Sequence, residues 1–282
     1  MKFDFHMHSV YSDGSSTIER IFHIAQELNL SGIAITDHDT VLGLENADKL
    51  SKRYGIPFVP AAEFTAFEQE TKFHVLGYGI DYKSPDLIDY SQDIQNKLNE
   101  RSKRQIKLMQ DNGIGISKEE FFKEGQGGPL YRAKILKVLS RYGYLNEEDI
   151  MTSLKAYFAK GAPFYIQDDI KYPSFEEIVN LIKSNNGIIV LAHPGKIKGK
   201  SESLYWDIIN SGLLDGVEVY HTANNIDIRK ELINIAKEKE LIITGGSDYH
   251  GHYNKYKTPM GGIELPEQVF KNLSPYLQNN II

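Results

Sequence analysis

Two segments at opposite ends of the chain share one spacing of metal-binding side chains. His6 and His8 are separated by one residue near the start, and Asp248 and His250 by one residue near the end. Side chains two residues apart in an extended segment point to the same face, so each pair can bind one ion or two adjacent ions. If the two pairs share ions, the first and last strands lie side by side. This constraint predicts a closed or strongly curved sheet.

The composition narrows the kind of metal site. The chain has 282 residues and a net charge of −6, which suits one large globular domain with an insertion. It has no cysteine, so imidazole and carboxylate groups would hold any metal, and such groups suit Zn, Mn or Fe in a catalytic role. The mild negative charge argues against coating nucleic acid but leaves room for one oligonucleotide end in a local pocket.

The sequence has no feature of a membrane protein. No apolar run approaches the roughly 20 residues of a membrane span. The first residues include Asp4 and His6, where a signal peptide would be apolar. We therefore expect a cytoplasmic protein with no membrane partner, and nothing in the sequence implies a protein partner.

Short β-like runs alternate with amphipathic helix-length segments over most of the chain. This rhythm is typical of a parallel α/β sheet. Helices are predicted over residues 17–28, 175–184 and 225–239. The predicted strands are Lys2–His6, Gly32–Thr36, Pro57–Ala61, Gly187–Ala192, Gly216–Val219 and Leu241–Thr244.

The alternation of strands and helices stops in the middle of the chain. Helices without intervening strands are predicted over Leu87–Met109, Tyr131–Tyr142 and Glu147–Phe158. The glycine-rich run at 125–128 is predicted to be a flexible connection between them. We therefore expect residues 84–164 to form a helical insertion, or lid domain, and residues 1–83 and 165–282 to form the main α/β domain.

Acidic residues and histidines concentrate at the ends of the predicted strands. In parallel α/β sheets and barrels, the carboxyl ends of the strands form one rim, where active sites are found. Repeated placement at this rim favours a shared metal site over separate structural histidines. The residues in these positions are His6, His8, Asp13, His38, Glu63, His193, His221, Asp248 and His250.

Four short motifs of these residues follow one another in a specific order. They read HMHS at 6–9 with Asp13, TDHD at 36–39, LAHP at 191–194 and SDYH at 247–250. This set resembles the polymerase and histidinol phosphatase (PHP) domain family. The wording YSDG at 11–14 and ITDHDT at 35–40 is most similar to its TrpH-like branch of metal-dependent phosphoesterases.

The resemblance implies a fold, a metal centre and an activity. The implied fold is a distorted (β/α)7 barrel of the PHP type, and the implied centre holds two or three divalent ions, of Mn, Zn or Fe. Carried over by position, the resemblance assigns His6, His8, Glu63 and Asp248 to one ion and Asp13, His38 and His250 to a second. Glu63 would bridge to a third ion held by His74 and His193.

The insertion departs from the family pattern. Members of the branch usually carry Arg-Pro-His there, whereas this chain has Gly-Pro-Leu at 128–130, followed by Tyr131 and Arg132. We expect Arg132, Lys196 and His221 to contact substrate, because Arg132 is nearest the missing basic pair and the other two follow predicted strands. For the other cations of the insertion, Arg101, Arg104 and Lys134, a solvated helix face is predicted.

The predicted activity is hydrolysis of a phosphoric ester by metal-activated water, with no protein nucleophile. The expected substrates are a small phosphorylated nucleotide, such as a nucleoside 3',5'-bisphosphate, or the 5' end of a short oligonucleotide. One alternative is a histidinol-phosphate phosphatase, which the ITDHDT wording and the insertion disfavour. An alternative of another class is a non-catalytic metal-binding PHP module, which intact ligands in every motif disfavour.

Overall fold

Seven strands form one sheet in the order in which they occur along the chain. The structure is a computed structural model that describes residues 1–146, 150–253 and 258–278. The strands are β1 (Lys2–Asp4), β2 (Leu30–Ile35), β3 (Phe58–Glu68), β4 (Thr71–Tyr78), β5 (Ile188–Leu191), β6 (Gly216–Tyr220) and β7 (Ile242–Gly245). All six predicted strands are present, with bounds that differ by a few residues, and β3 extends well beyond its predicted end.

The sheet is mixed, whereas the alternation of strand and helix segments in the sequence predicted a wholly parallel sheet. Strand β4 is antiparallel to both β3 and β5, whereas the other neighbouring pairs are parallel. Gln69 and Glu70 connect β3 to β4 with φ angles of 45° and 58°. Such two-residue turns with positive φ favour Asn and Gly, so this Gln-Glu turn has no sequence signature of a hairpin.

The first and last strands lie side by side, as the paired spacings predicted. Met7 and Tyr249 form a parallel bridge just beyond β1 and β7. The amide of His8 donates to the Tyr249 carbonyl over 2.8 Å, and the Asp248 amide donates to the His6 carbonyl over 2.9 Å. The chain segments that follow the strands therefore join the two ends of the sheet, which agrees with the predicted distorted barrel.

Helices cover the sheet and follow recognisable capping signals. Those of the main domain are α1 (Ile18–Glu27), α2 (Leu44–Tyr54), α7 (Phe175–Ser184), α8 (Pro194–Lys198), α9 (Glu202–Ile209), α10 (Ile226–Glu238) and α11 (Glu267–Leu273). Thr17 caps α1, Asn225 caps α10, and Ser174 forms a capping box with Glu177 at α7. The three helices predicted in this domain are confirmed to within one residue at each end.

Apolar side chains pack on both faces of the sheet. The larger core lies between the strands and the covering helices. A second cluster takes Phe5, Ala34, Ala61, Leu76 and Val190 from successive strands or their ends, and so fills the interior of the barrel. Among the described residues, no helix combines the length and the apolarity needed to cross a membrane.

The insertion is helical and has its own apolar core. Its helices are α3 (Pro85–Asp111), α4 (Lys118–Lys123), α5 (Arg132–Arg141) and α6 (Ile150–Phe158). The predicted start of the last helix, at 147–149, lies outside the described residues. The glycine-rich run packs closely against the main domain, because a Cβ atom added at Gly128 would lie 2.4 Å from the carbonyl oxygen of Val10.

Candidate metal centre

The strand ends gather seven of the nine histidines into one centre, where five of them face a single buried carboxylate, Glu63. Glu63 lies within β3 and not beyond it, because β3 continues past the rim to pair with β4. His74 projects from the middle of β4. The antiparallel hairpin thus contributes two residues to the centre that follow no parallel strand. The histidines are His6, His8, His38, His74, His193, His221 and His250.

Four buried side chains form what we call the inner cluster: His6, His8, Glu63 and Asp248. Nε2 of His6 lies 3.3 Å from Oε2 of Glu63 and 3.5 Å from Oδ1 of Asp248. Nε2 of His8 lies 3.2 Å from each of the same two oxygens. Ligand bonds of about 2.0–2.2 Å in tetrahedral geometry put ligand atoms about 3.3–3.6 Å apart. The inner cluster therefore fits a single ion.

A second group, the outer cluster, consists of Asp13, His38 and His250, with His8 beside it. Nε2 of His250 lies 3.2 Å from Oδ1 of Asp13, and Nε2 of His38 lies 3.8 Å from Oδ2 of Asp13. Nδ1 of His250 donates to the Asp248 carbonyl over 2.7 Å, which leaves Nε2 with a lone pair directed at Asp13. Asp13 is 25% exposed, so this group faces the solvent more than the inner cluster does.

A third group, the bridged cluster, meets the other oxygen of Glu63. Oε1 of Glu63 lies 2.8 Å from Nε2 of His193 and 3.1 Å from Nδ1 of His74, and these two nitrogens are 3.4 Å apart. Nδ1 of His38 lies 3.3 Å from Oε2 of the same carboxylate. Glu63 therefore offers its two oxygens to different sets of imidazoles.

Several buried donor and acceptor atoms at this centre have no hydrogen-bond partner among the described residues. Except for Nδ1 of His193, they lie 3.2–3.7 Å from another nitrogen or oxygen of the centre, and the known cost of unsatisfied buried groups calls for an occupant. These atoms are Nε2 of His6, Nδ1 and Nε2 of His8, Nδ1 of His38, Oε2 of Glu63 and Nδ1 of His193.

The electrostatics of the centre favour positive charge. Burial raises the pKa of Glu63, but the surrounding imidazoles outweigh this effect and hold the pKa well below its usual range. The same balance lowers the pKa of Asp248. Burial lowers the pKa of His8, yet Asp248 and Glu63 together raise it to about 10. The ionised carboxylates thus create a field that attracts cations.

Glu218 supports the centre and was missed by the sequence analysis. It lies fully buried in β6, and its Oε1 accepts a hydrogen bond from Nδ1 of His6 over 2.7 Å. Its Oε2 accepts from the amide of His193 over 2.7 Å. The first bond leaves Nε2 of His6 to face the inner cluster, which is how carboxylates orient metal-binding histidines. The available signal was an acidic residue between two valines of an apolar strand.

Asp37 and Asp39, the two acids of the TDHD motif, form hydrogen bonds with serine and threonine residues and with no imidazole among the residues that the structure describes. Asp37 accepts hydrogen bonds from the amide and hydroxyl of Ser9 and from the hydroxyl of Ser12, over 2.5–2.7 Å. Asp39 accepts from the amide and hydroxyl of Thr65, both over 2.7 Å. These bonds fix the loops that carry Asp13 and His38.

A cavity of about 650 Å³ opens above the metal-binding side chains. Arg132 and Lys196, two of the residues predicted to contact substrate, line it, and Lys196 places its ammonium nitrogen 3.3 Å from Oδ2 of Asp248. Lys200 also lines the cavity and was missed by the sequence analysis. His221 is fully buried and lies outside the cavity lining; its Nδ1 accepts from the Ala223 amide, so Nε2 carries the proton that faces Asp248 over 3.1 Å.

The solvated face predicted for other cations of the insertion is wrong in two cases. Arg101 and Lys134 are only 5% and 1% exposed. Arg104 is solvated as predicted, and it pairs with Asp169 at the surface. Helical periodicity does not distinguish a solvent-facing cation from one that faces another part of the fold, and α3 and α5 both pack against the main domain.

Comparison with known proteins gives further evidence of the family to which the chain belongs. The profile of the PHP domain matches residues 4–243. A phosphoribosyl 1,2-cyclic phosphate 1,2-diphosphodiesterase of Eggerthella lenta is 29% identical, over 93% of this chain and 98% of that protein. The 5'-3' exoribonuclease Rnm of Escherichia coli is 25% identical, over 88% of this chain and 85% of that protein.

Two further proteins extend the comparison. A 3',5'-nucleoside bisphosphate phosphatase of Chromobacterium violaceum is 28% identical, over 88% of this chain and 86% of that protein. The crystal structure of a candidate metal-dependent phosphoesterase from Bifidobacterium adolescentis superposes with a TM-score of 0.83 at 27% identity. That superposition covers 97% of this chain and 96% of the other.

Proposed function

Because the chain belongs to the PHP domain family, we propose that it hydrolyses small phosphorylated nucleotides or the 5' ends of short oligonucleotides. The activities named for its relatives confirm the more general expectation of a metal-dependent phosphoesterase. The named substrates of these relatives differ from one another. The relatives therefore indicate the type of reaction, and the substrate of this chain is our proposal.

The observation that supports this function is the set of unsatisfied buried ligand atoms around Glu63. The inner cluster is the proposed site of one ion and the outer cluster of a second. The bridged cluster supports a third ion that shares Glu63 with the inner cluster. Imidazole and carboxylate ligands suit Mn, Zn or Fe. Ions bound at such a centre supply an activated water and neutralise the charge of the phosphoryl group.

The chain's own cations are proposed to bind and orient the phosphate groups. The Lys196 ammonium lies beside Asp248 at the edge of the inner cluster. Arg132 projects from the insertion into the same cavity, and its polar contacts in the described structure are two long ones, of 3.4 Å each, to Gln105 and the Ile166 carbonyl. Neither partner is charged, which leaves the guanidinium available for a phosphate. His221, behind Asp248, is better suited to orienting that ligand than to contacting substrate.

Apolar and aromatic side chains in the cavity lining support binding of an organic group. Tyr131, Leu154 and Tyr253 line the cavity, and the Tyr131 ring centroid lies 6.5 Å from that of His38. Aromatic rings stack with nucleobases without reading their identity. A phosphorylated nucleotide matches this combination of cations and apolar side chains in one cavity.

We further propose that the insertion, residues 84–164, acts as a wall that limits substrate length. Tyr131, Arg132 and Leu154 all reach the cavity from it. A cavity of about 650 Å³ has the size of a small-ligand site. Chain ends and mononucleotides enter such a pocket, whereas an internal phosphodiester of a closed strand does not.

A turnover panel tests the proposal. The purified chain is loaded with Mn²⁺, Zn²⁺ or Fe²⁺ and given a nucleoside 3',5'-bisphosphate, a nucleoside monophosphate, a 5'-phosphorylated oligonucleotide and histidinol phosphate. A cyclic phosphodiester of a phosphorylated ribose is the fifth substrate, because of the Eggerthella relative's named activity. We expect turnover of the bisphosphate or the 5'-phosphorylated oligonucleotide.

Four outcomes would contradict the proposal. Preference for histidinol phosphate would support the alternative phosphatase, and preference for the cyclic ester would assign a diesterase. Cleavage of a circular single strand at the rate of the linear one would remove the role of the insertion as a wall. No turnover with any metal, in a chain shown to bind ions, would support a non-catalytic metal-binding module.

A further inference from the structure

Lys134 is a buried cation whose contacts reach from the insertion into the main domain. It lies in α5, and only 1% of it is exposed. Its ammonium group donates to the carbonyl oxygens of Val10 over 2.7 Å, of Pro129 over 3.0 Å and of Gly125 over 3.3 Å. No carboxylate in the described part of the chain lies within ion-pair distance of it. Three acceptors match the three N–H groups of the ammonium.

Burying this ammonium group lowers the stability of the fold. Burial of an ammonium without a carboxylate partner favours the neutral amine, and burial lowers the pKa of Lys134 to about 8. An apolar side chain would avoid this cost. The position therefore calls for an explanation other than packing.

The carbonyl that Lys134 binds most closely belongs to the loop between two proposed metal ligands. Val10 lies between His8 and Asp13, and its amide bonds the Ser16 carbonyl. Asp37 holds the same loop from the main domain through Ser9 and Ser12. The insertion holds it from the other side through Lys134 and through the close approach of Gly128 to the carbonyls of Val10 and Tyr11.

The outer cluster depends on this loop more than the inner cluster does. Asp13 is its only carboxylate, and the two ring nitrogens that face Asp13 from His38 and His250 lie 3.8 Å and 3.2 Å away. Nδ1 of His8 is 3.7 Å from the same carboxylate. A shift of the loop by a few tenths of an ångström would change each of these separations.

We propose that Lys134 is a positioning residue for the outer cluster, which fixes the loop of Val10 and thereby the place of Asp13 at the second ion. The proposal rests on the ligand set of the proposed function. It makes the insertion part of the metal centre as well as a wall of the cavity. Lys134 itself contacts neither ion nor substrate.

The test replaces the ammonium while keeping the length of the side chain. The full chain and the variants Lys134→Met and Lys134→Arg are stripped of metal and titrated with Mn²⁺ by calorimetry. We expect Lys134→Met to bind its weakest ion at least about tenfold less tightly, with the tighter ion unchanged. At low Mn²⁺ its kcat should fall while KM for substrate stays constant, and excess Mn²⁺ should restore kcat. Lys134→Arg, which keeps the donors, should recover most of the affinity.

Two controls separate this proposal from the ligand assignment and from general loss of stability. Lys107→Met, at an exposed position of α3, should match the unaltered chain. Asp13→Asn is titrated in parallel: if it retains every ion, the proposed ligand set fails. If Asp13→Asn loses an ion and Lys134→Met titrates like the unaltered chain, the positioning role alone is wrong, whatever happens to the melting temperature. Should Lys134→Met not fold, Lys134→Gln, which is polar but shorter than lysine and uncharged, undergoes the same titration with the same expectations.

Discussion

The inner and outer clusters share His8 and lie next to each other, yet the fold supports them differently. The inner cluster is buried, and Glu63 reaches it from a long central strand. The outer cluster is partly exposed and draws its residues from loops that follow β1, β2 and β7. Its loops are held both by the main domain and by the insertion.

This difference predicts two ions of unequal affinity. The strand ladder of β3 holds Glu63, and backbone hydrogen bonds between the segments that follow β1 and β7 hold His6, His8 and Asp248, so the inner cluster keeps its geometry when the outer loops move. The outer cluster keeps its geometry only while the loop contacts persist. We expect the inner ion to stay bound during purification and the outer ion to exchange with the medium, which matched substitutions can test.

The largest effect is expected at Glu63, which the inner cluster shares with the bridged cluster. Glu63→Gln removes the anionic charge that both sets of imidazoles face, so we expect loss of more than one ion equivalent. Turnover should fall by more than about 100-fold, the upper range for residues that only support ligands. Metal analysis and steady-state kinetics measure this, with exposed Glu45→Gln as the control. Full ion content with near-normal turnover would show that Glu63 is not a ligand.

A smaller and reversible effect is expected in the outer cluster. Asp13→Asn should lose one ion equivalent while the inner ion remains, because the inner cluster has no contact with Asp13 except through His8. Turnover should fall strongly at low Mn²⁺ and recover in part when Mn²⁺ is raised. Metal titration followed by activity at each concentration checks this. Loss of both ions together would show that the clusters are not independent.

A further effect is expected at Glu218, which orients His6 of the inner cluster. Glu218→Gln weakens the bond that orients His6, and we expect about 10- to 100-fold weaker binding of the inner ion. The outer ion should bind as before. Exposed Glu238→Gln in α10 is the control. Equal weakening of both ions would point to a general change in the fold and not to His6.

The smallest effects are expected for the cations of the cavity. Lys196→Ala and Arg132→Ala each remove one charged hydrogen bond to phosphate, worth about 1.4 kcal/mol or more, so KM should rise about tenfold. The ion content should not change. Exposed Arg20→Ala is the control. Loss of an ion in either variant would contradict a role limited to substrate.

Much of the fold and of the centre is readable in the sequence. Strand and helix positions follow from local periodicity, and the four motifs place most of the candidate metal-binding residues at strand ends. The spacing of His6 with His8 and of Asp248 with His250 also predicted the contact between the chain ends. These signals are local, because each depends on residues a few positions apart.

The tertiary structure decided how those residues are supported. Glu218 meets His6 across 212 positions of sequence, and Lys134 meets Val10 across 124. The neighbours of Lys134 do not distinguish a supporting charge from a surface charge, and the flanking valines of Glu218 indicate a buried position but not its partner. The antiparallel direction of β4 was also decided by the tertiary structure. The turn before β4 carries Gln69 and Glu70, and not the Asn and Gly that indicate a hairpin. The sequence by itself therefore predicted which side chains bind ions, whereas long-range packing decided what holds them in place, because the partner of a buried charge is set by the fold as a whole and not by adjacent residues.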